Sequence, residues 1–216
     1  MESIFQNVTQ WVDNLEDCPE FAIFEHEIST SDVNCLGYSL GAAKGVQPGE
    51  IAFRRALKQS TDPVLIKDSF NVHLSVRSSM NRDAFEEDIR ESITLDGLQR
   101  VKGPEDLLKE GHYPVILFFT QKPGSRSHAD FHFIRLNSSG DWSWVPGIGE
   151  PISRKAIDFS TLEEANVTNP LAIKWPPGHT MDSVWLVPKG GYETLLMGPE
   201  IQLLGKSRER SIGLEA

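Results

Sequence analysis

The chain has little cysteine, no long apolar run and too few basic residues to balance its acids. Two cysteines in 216 residues exclude a disulfide-rich scaffold and a zinc site built from four cysteines. No stretch approaches the roughly 20 apolar residues that span a bilayer. The net charge of −10 at pH 7 argues against nucleic acid or an anionic membrane as the main partner, because both bind a basic surface.

The amino terminus also lacks the apolar core of a Sec-type signal peptide, and an acid, Glu2, stands near its start. We therefore expect a cytoplasmic protein, or one exported without a Sec signal peptide. With 39% hydrophobic and 24% charged residues, the chain is suited to one sizeable domain with its own core. We predict a single domain over residues 1–204 and a flexible, charged tail over 205–216.

Helical patterns come before strand patterns along the chain, which favours an α+β fold over a doubly wound sheet. Apolar residues at helical spacing predict helices over about 3–15, 50–59 and 83–95. The run 115–119 is apolar on both faces and predicts a central buried strand, followed by a strand over 128–136. Residues 183–188 predict a late strand, at a sheet edge because a proline ends it.

Only one of the two cysteines has a sequence context that activates a thiol. Asp32 is a residue type that caps helices, which predicts that Cys35 lies in the first turn of a short helix. The helix dipole there favours the thiolate, the reactive form of cysteine. Cys18 precedes a proline and lacks this context, so we interpret it as a packing residue.

A thiolate nucleophile needs an imidazole as base and later as acid. His132 is the main candidate among six histidines, because it lies in mid-strand between Phe131 and Phe133, where a polar ring needs a partner or faces a cleft. The alternative is a core histidine bonded to a backbone carbonyl. His128, at the start of the same strand, is the second candidate base. Nucleophile and base are commonly distant in sequence and adjacent in space.

The register of the predicted hairpin limits the third member of the site. A turn over 137–140 sets Ile134 opposite Ser143. Asp141 then lies roughly 13 Å along the strand from His132, too far for a hydrogen bond, and Ser143 is a diagonal neighbour at about 7 Å. A bulge would shift this pairing by one residue. Asp141 and Ser143 are thus candidate orienting residues, with a turn role as the alternative for Asp141.

Three segments in order resemble the papain-like cysteine hydrolases, in particular the bacterial papain-fold amidases and toxin-like peptidases. Residues 34–41 (NCLGYSLG) resemble their nucleophile helix, 130–135 (DFHFIR) their histidine strand, and 140–147 (GDWSWVPG) their returning strand. The likeness covers about residues 33–147. It implies a papain-like α+β fold in which N-terminal helices, including the nucleophile helix, pack on an antiparallel sheet.

By that resemblance Cys35 is the nucleophile and His132 its base, and the backbone N–H of Cys35 helps to bind the oxyanion. Asn34, next to the nucleophile, is a candidate for the oxyanion side chain. Trp144 departs from the family pattern, which has a polar residue there. The implied reaction is cleavage of a peptide or protein amide (by a peptidase, amidase or glutamine deamidase) through an acyl-thioester, with no cofactor and no metal.

Two other functions fit the same residues. A catalytically inactive papain-fold interaction domain would keep Cys35 as a small buried residue and bind a protein partner through exposed aromatic residues. Those aromatic residues would be Trp142, Trp144 and Trp175. A metal hydrolase would instead use His128, Asp130 and His132, which strand alternation puts on one face. The cysteine hydrolase is the hypothesis that the coupled motifs favour.

Overall fold

A computed structural model of the chain describes residues 15–19, 32–59, 82–103, 105–106, 109–121, 129–140, 142–145 and 179–198. The helices are α1 (Cys35–Ser39), α2 (Glu50–Gln59), α3 (Arg82–Asp96) and α4 (Gly191–Leu196), with a 3-10 turn at Leu15–Asp17. The strands are β1 (Gln99–Arg100), β2 (His112–Gln121), β3 (Ala129–Leu136), β4 (Trp142–Ser143) and β5 (His179–Pro188). The helix predicted over 3–15, apart from its last residue, and the predicted tail lie outside the described residues.

These elements form an α+β arrangement, as the order of patterns along the sequence predicts. Within the described residues the sheet has five strands in the order β1-β5-β2-β3-β4, and its pairs are antiparallel. The helices predicted over 50–59 and 83–95 are confirmed as α2 and α3. None of the helices that the structure describes has the length and apolarity needed to cross a membrane.

The centre of the sheet is β2, whose residues 115–119 are at most 1% exposed, as a strand apolar on both faces requires. The predicted edge position of β5 is wrong, since β1 pairs with Trp185 and Leu186 on its outer side. Pro188 lies beyond those two residues and pairs with His112 of β2. The proline therefore removes no hydrogen bond to β1, and an interior strand tolerates it.

The hairpin between β3 and β4 differs by one residue from the predicted register. Arg135 pairs with Ser143 and Leu136 with Trp142, so Ile134 is not opposite Ser143. The connection covers 137–141, an odd number of residues rather than the even-length turn on which the prediction was based. A one-residue shift exchanges the faces of every side chain on β4.

A buried carboxylate joins the end of α3 to the start of α2. Asp96 is 0% exposed, and its two oxygens accept hydrogen bonds from the N–H groups of Gly49 at 2.7 Å and Ala52 at 2.8 Å. These are groups at the helix start that have no partner within the helix. Burial raises the pKa of Asp96 to about 7, although the same N–H groups and the Arg55 guanidinium act to lower it.

Helix α3 covers one face of the sheet. Paired residues of neighbouring strands share a face, and the paired Phe119 and Phe131 each have ring centroids 6.3 Å from that of Phe85 on α3. Arg90, one turn further along α3, donates to Asp182 of β5 at 2.5 Å. His132 and its partner on β2 point to the opposite face, because side chains alternate along a strand.

Candidate active site

Helix α1 begins at Cys35 itself and is capped by Asn34, not by Asp32. The Oδ1 atom of Asn34 accepts a hydrogen bond from the N–H of Gly37 at 2.8 Å. The predicted cap is therefore wrong, whereas Cys35 lies in the first turn of the helix, as predicted, and is its first residue. Asp32 is exposed, and its carbonyl accepts the N–H of Gly45, so it stabilises the loop that returns past α1.

The same Asn34 side chain fastens α1 to that loop. Its Oδ1 atom also accepts the N–H of Val46 at 3.0 Å, and its Nδ2 atom donates to the carbonyl of Val46 at 2.9 Å. Gly37 permits this close packing, because a Cβ atom there would lie 2.2 Å from the carbonyl oxygen of Lys44. The structure thus gives Asn34 a capping role, and its role toward an oxyanion stays a prediction.

The sulfur of Cys35 lies beside the main chain of His132. It contacts the carbonyl oxygen of Phe131 at 3.7 Å, and the N–H of Phe133 also acts on it. In an extended strand the carbonyl of one residue and the N–H two residues later face the same edge, so the sulfur is level with the residue between them. Helix α1 packs against β3 at this edge, and β4 pairs with β3 farther along the strand.

The thiol of Cys35 is buried, and burial disfavours its ionisation. It is 7% exposed, and burial raises its pKa from 9.0 to about 12, a rise that the N–H of Phe133 opposes and the carboxylate of Asp130 increases. The N–H groups of Leu36 and of Cys35 itself also lower the pKa. The helix dipole, which is predicted to favour the thiolate, therefore acts against a larger desolvation effect at the start of this five-residue helix.

The imidazole of His132 packs in an aromatic cluster formed by Phe118, His132 and Trp144. It stacks on Phe118 with centroids 5.2 Å apart, and Trp144 meets it edge-on at 5.4 Å. Trp144 thus lies beside the ring at the position where the family pattern has a polar residue. Among the described residues, the hydrogen bond of the Cys35 sulfur goes to the carbonyl of Phe131, and none joins it to the imidazole.

A carboxylate also faces the imidazole, and it comes from Asp130. Its Oδ2 atom lies 4.0 Å from Nε2 of His132, and its Oδ1 atom accepts the N–H of Phe131 at 2.9 Å. Among the sequence predictions, Asp130 has a role only as a metal ligand. The signal that could have identified it as a partner of the base is the two-residue spacing, which puts both side chains on one face of β3.

Of the other two candidate orienting residues, the structure describes only Ser143. Asp141 is outside the described residues. Ser143 is 1% exposed and belongs to a buried polar ring formed by Tyr38, Arg135, Asn137 and Ser143. Its Oγ atom lies 2.6 Å from the hydroxyl of Tyr38 and 2.9 Å from Nδ2 of Asn137, which explains its burial without a role toward His132.

The buried polar ring anchors α1 on the hairpin. Arg135 donates from Nε to Oδ1 of Asn137 at 3.1 Å and from Nη1 to the carbonyl of Tyr38 at 3.1 Å. Its guanidinium also lies 4.0 Å from the centroid of the Tyr38 ring. Since Tyr38 follows Cys35 by one helical turn, this ring fixes the position of the sulfur against β3.

The remaining candidates are Cys18 and the metal site. Cys18 is 7% exposed in the core, and both cysteines are free thiols. In the part of the chain that the structure describes, no three His, Cys, Asp or Glu side chains are grouped so as to hold a metal ion. His128, which the metal hypothesis requires, lies outside that part.

No family model, no curated protein and no solved structure matches the chain. The papain-like resemblance therefore stays a prediction that depends on the residues of the chain alone.

Proposed function

We propose that the protein is a papain-like cysteine hydrolase that cleaves an amide bond of a peptide or protein. One observation carries the proposal: the sulfur of Cys35 lies level with His132, held between the main-chain atoms of Phe131 and Phe133. Covalent catalysis by cysteine needs such a nucleophile and base on separate elements that meet in space. Hydrogen bonds between them are often long in the absence of substrate.

The raised thiol pKa favours attack by a neutral thiol with simultaneous proton transfer. His132 takes the proton from the sulfur of Cys35 as the sulfur bonds to the carbonyl carbon of the substrate. The carbon–nitrogen bond then breaks, and His132 returns the proton to the leaving nitrogen. Water, deprotonated by His132, attacks the acyl-thioester and releases the acid and the thiol. The N–H groups of Cys35 and Leu36 are the candidate oxyanion donors.

A non-catalytic interaction domain is the second candidate, because burial of the thiol and the position of Trp144 beside the imidazole both favour it. In that case Cys35 is a small packing residue. The tryptophans do not supply the exposed surface expected for such a domain, since Trp142 is 2% and Trp144 5% exposed. Trp175 lies outside the described residues.

Alkylation by iodoacetamide separates the two functions, with Cys18 as the internal control. Both thiols are 7% exposed, so accessibility alone predicts equal rates. If His132 acts as base, Cys35 is labelled about 100-fold faster than Cys18 at pH 7, and His132→Gln removes most of this difference. Peptide mass spectrometry gives both rates in one sample. Equal rates in the native protein would contradict the hydrolase.

A second comparison guards against misfolding of the variant. In urea-unfolded protein the two thiols should be labelled at similar rates, because their neighbours are then solvent. The unfolding transition of His132→Gln should stay cooperative. If it does, a loss of selective labelling in that variant reports the missing imidazole rather than a lost fold.

A further inference from the structure

We infer that Asp130 is the positioning residue of the Cys35–His132 pair: its carboxylate orients the imidazole and stabilises the imidazolium that forms when the thiol gives up its proton. This inference deepens the proposed function and rests on it. In sites of this kind the base is itself oriented by a third group. Trp144, which packs edge-on against the ring, has an indole N–H and no negative charge to offer.

The geometry places the carboxylate at ion-pair distance from the imidazole, beyond the length of a hydrogen bond. Asp130 and His132 lie two residues apart on β3 and therefore share a face, and Oδ2 is 4.0 Å from Nε2. The second oxygen of Asp130 is held by the N–H of Phe131 at 2.9 Å. The main chain thus fixes one carboxylate oxygen and leaves the other directed at the imidazole.

In the part of the chain that the structure describes, the neighbours of the ring named here add little other charge. Strand β2 contributes Phe118, and the residue after β4 contributes Trp144, neither of which titrates. Helix α1 holds the Cys35 sulfur against the main chain beside His132, and burial raises the pKa of this thiol. Thr120 of β2, which pairs with Asp130 of β3, is uncharged. A negative charge on Asp130 therefore acts on the imidazole over a short distance, and the ring's other named neighbours, Phe118 and Trp144, are aromatic.

Asp130 acts on the two reacting groups with opposite results. Its charge disfavours the thiolate of Cys35 and favours a positive charge on His132. The carboxylate interaction with the imidazole therefore strengthens as the proton moves from the sulfur to the ring. An interaction that is stronger in the transition state than at rest accelerates the step. Because the side chain of Asp130 is 62% exposed, salt weakens this interaction.

The test compares wild type with Asp130→Asn, Asp130→Glu and the control Glu193→Gln. Glu193 is an exposed acid on α4, a helix that packs against α2 and β5, so its replacement matches the change in net charge. Two midpoint pH values are measured. The first is the pH at which the rate of Cys35 alkylation reaches half of its alkaline maximum. The second is the pH at which the NMR shift of the His132 ring protons is half changed. Neither readout requires a known substrate.

We expect Asp130→Asn to move both midpoints to lower pH, by about half a unit for an exposed carboxylate. Asp130→Glu should restore most of each shift, and Glu193→Gln should move neither. If Asp130→Asn leaves both midpoints unchanged, or if Glu193→Gln moves them equally, the inference is overturned. A residue with a merely structural role would change stability and leave the midpoints in place.

The same data separate this inference from the proposed function. If the midpoints move but His132→Gln does not slow Cys35 alkylation, the hydrolase fails and the Asp130–His132 interaction stands. If His132→Gln slows alkylation but the midpoints stay fixed in Asp130→Asn, the hydrolase stands and the role of Asp130 is refuted.

Discussion

The two thiols of this protein differ in their neighbours and hardly at all in their burial. Cys18 and Cys35 are each 7% exposed, and burial raises the pKa of each to about 12. Around Cys18, the charges of Asp17 and Arg135 oppose each other. Around Cys35, the sulfur meets the main chain beside His132. Burial and thiol pKa therefore do not distinguish the two cysteines, and the proposal that Cys35 is the nucleophile depends on the residue placed next to its sulfur.

The largest expected effect is on turnover, when each cysteine is replaced in turn. Cys35→Ala should lower hydrolysis by about 10,000-fold or more, because it removes the attacking atom. Cys18→Ala should keep activity within a few-fold, because it removes only packing. Hydrolysis of a panel of fluorogenic peptide amides measures both. Equal loss in the two variants would abolish the distinction between the thiols.

Sequence reasoning found the elements of the site more reliably than their contacts. The apolar run 115–119 predicts the central strand because a strand covered on both faces leaves no room for polar residues. The context of Cys35 predicts a helix start, but burial outweighs the dipole there, and burial depends on β3, some 96 residues away along the chain. No local sequence pattern shows that two residues so far apart in the chain are in contact.

The misplaced register has a similar cause. The length of the connection over 137–141 decides which residues of β4 face Arg135 and Leu136, and turn residues alone fit more than one length. The contact between Asp130 and His132 follows from strand alternation, which the sequence does provide. Its chemical meaning depends on Trp144, whose packing against the imidazole is a tertiary contact.

A smaller effect should follow from breaking the buried polar ring, which holds α1 and thus Cys35. Ser143→Ala leaves the hydroxyl of Tyr38 and the amide of Asn137 without one buried partner each, at a cost of about 2 kcal/mol of unfolding free energy. Urea denaturation measures the loss. Amide hydrogen exchange should speed up more in α1 than in the turn at 15–17.

The matched control is Thr94→Ala, which removes an exposed hydroxyl that donates to the carbonyl of Arg90 at 2.7 Å. Its cost should stay below about 0.5 kcal/mol. If both variants lose the same free energy, or if exchange speeds up equally in α1 and at 15–17, the ring has no special role in holding Cys35.

The smallest effect concerns alkaline pH, where the two thiols should behave alike. The pKa of each is raised on folding from 9.0 to about 12, so the folded protein keeps protons that the unfolded chain releases. The contribution of each thiol to the free energy of unfolding is fully present below pH 9 and is lost as the pH rises toward 12. Each thiol should cost about 1 kcal/mol of stability between pH 9 and pH 10.

Urea denaturation at pH 7, 9 and 10 measures this loss, and the single alanine variants apportion it. Cys18→Ala and Cys35→Ala should each remove a similar share of the alkaline destabilisation, because the other titrating groups are unchanged. A loss confined to one variant would mean that the two thiols are not equally desolvated.

The central claim, that the side chain at position 132 reaches the sulfur of Cys35, is tested most directly by trapping a disulfide. His132→Cys is made in the Cys18→Ala background and left to oxidise in air, with Phe131→Cys in the same background as the comparator. Bridging requires closely spaced Cα atoms and converging Cβ directions. We predict that His132→Cys forms a disulfide with Cys35 and so loses the mass of two hydrogen atoms. We predict that Phe131→Cys keeps both thiols free. A bridge at 131 with none at 132 would contradict it.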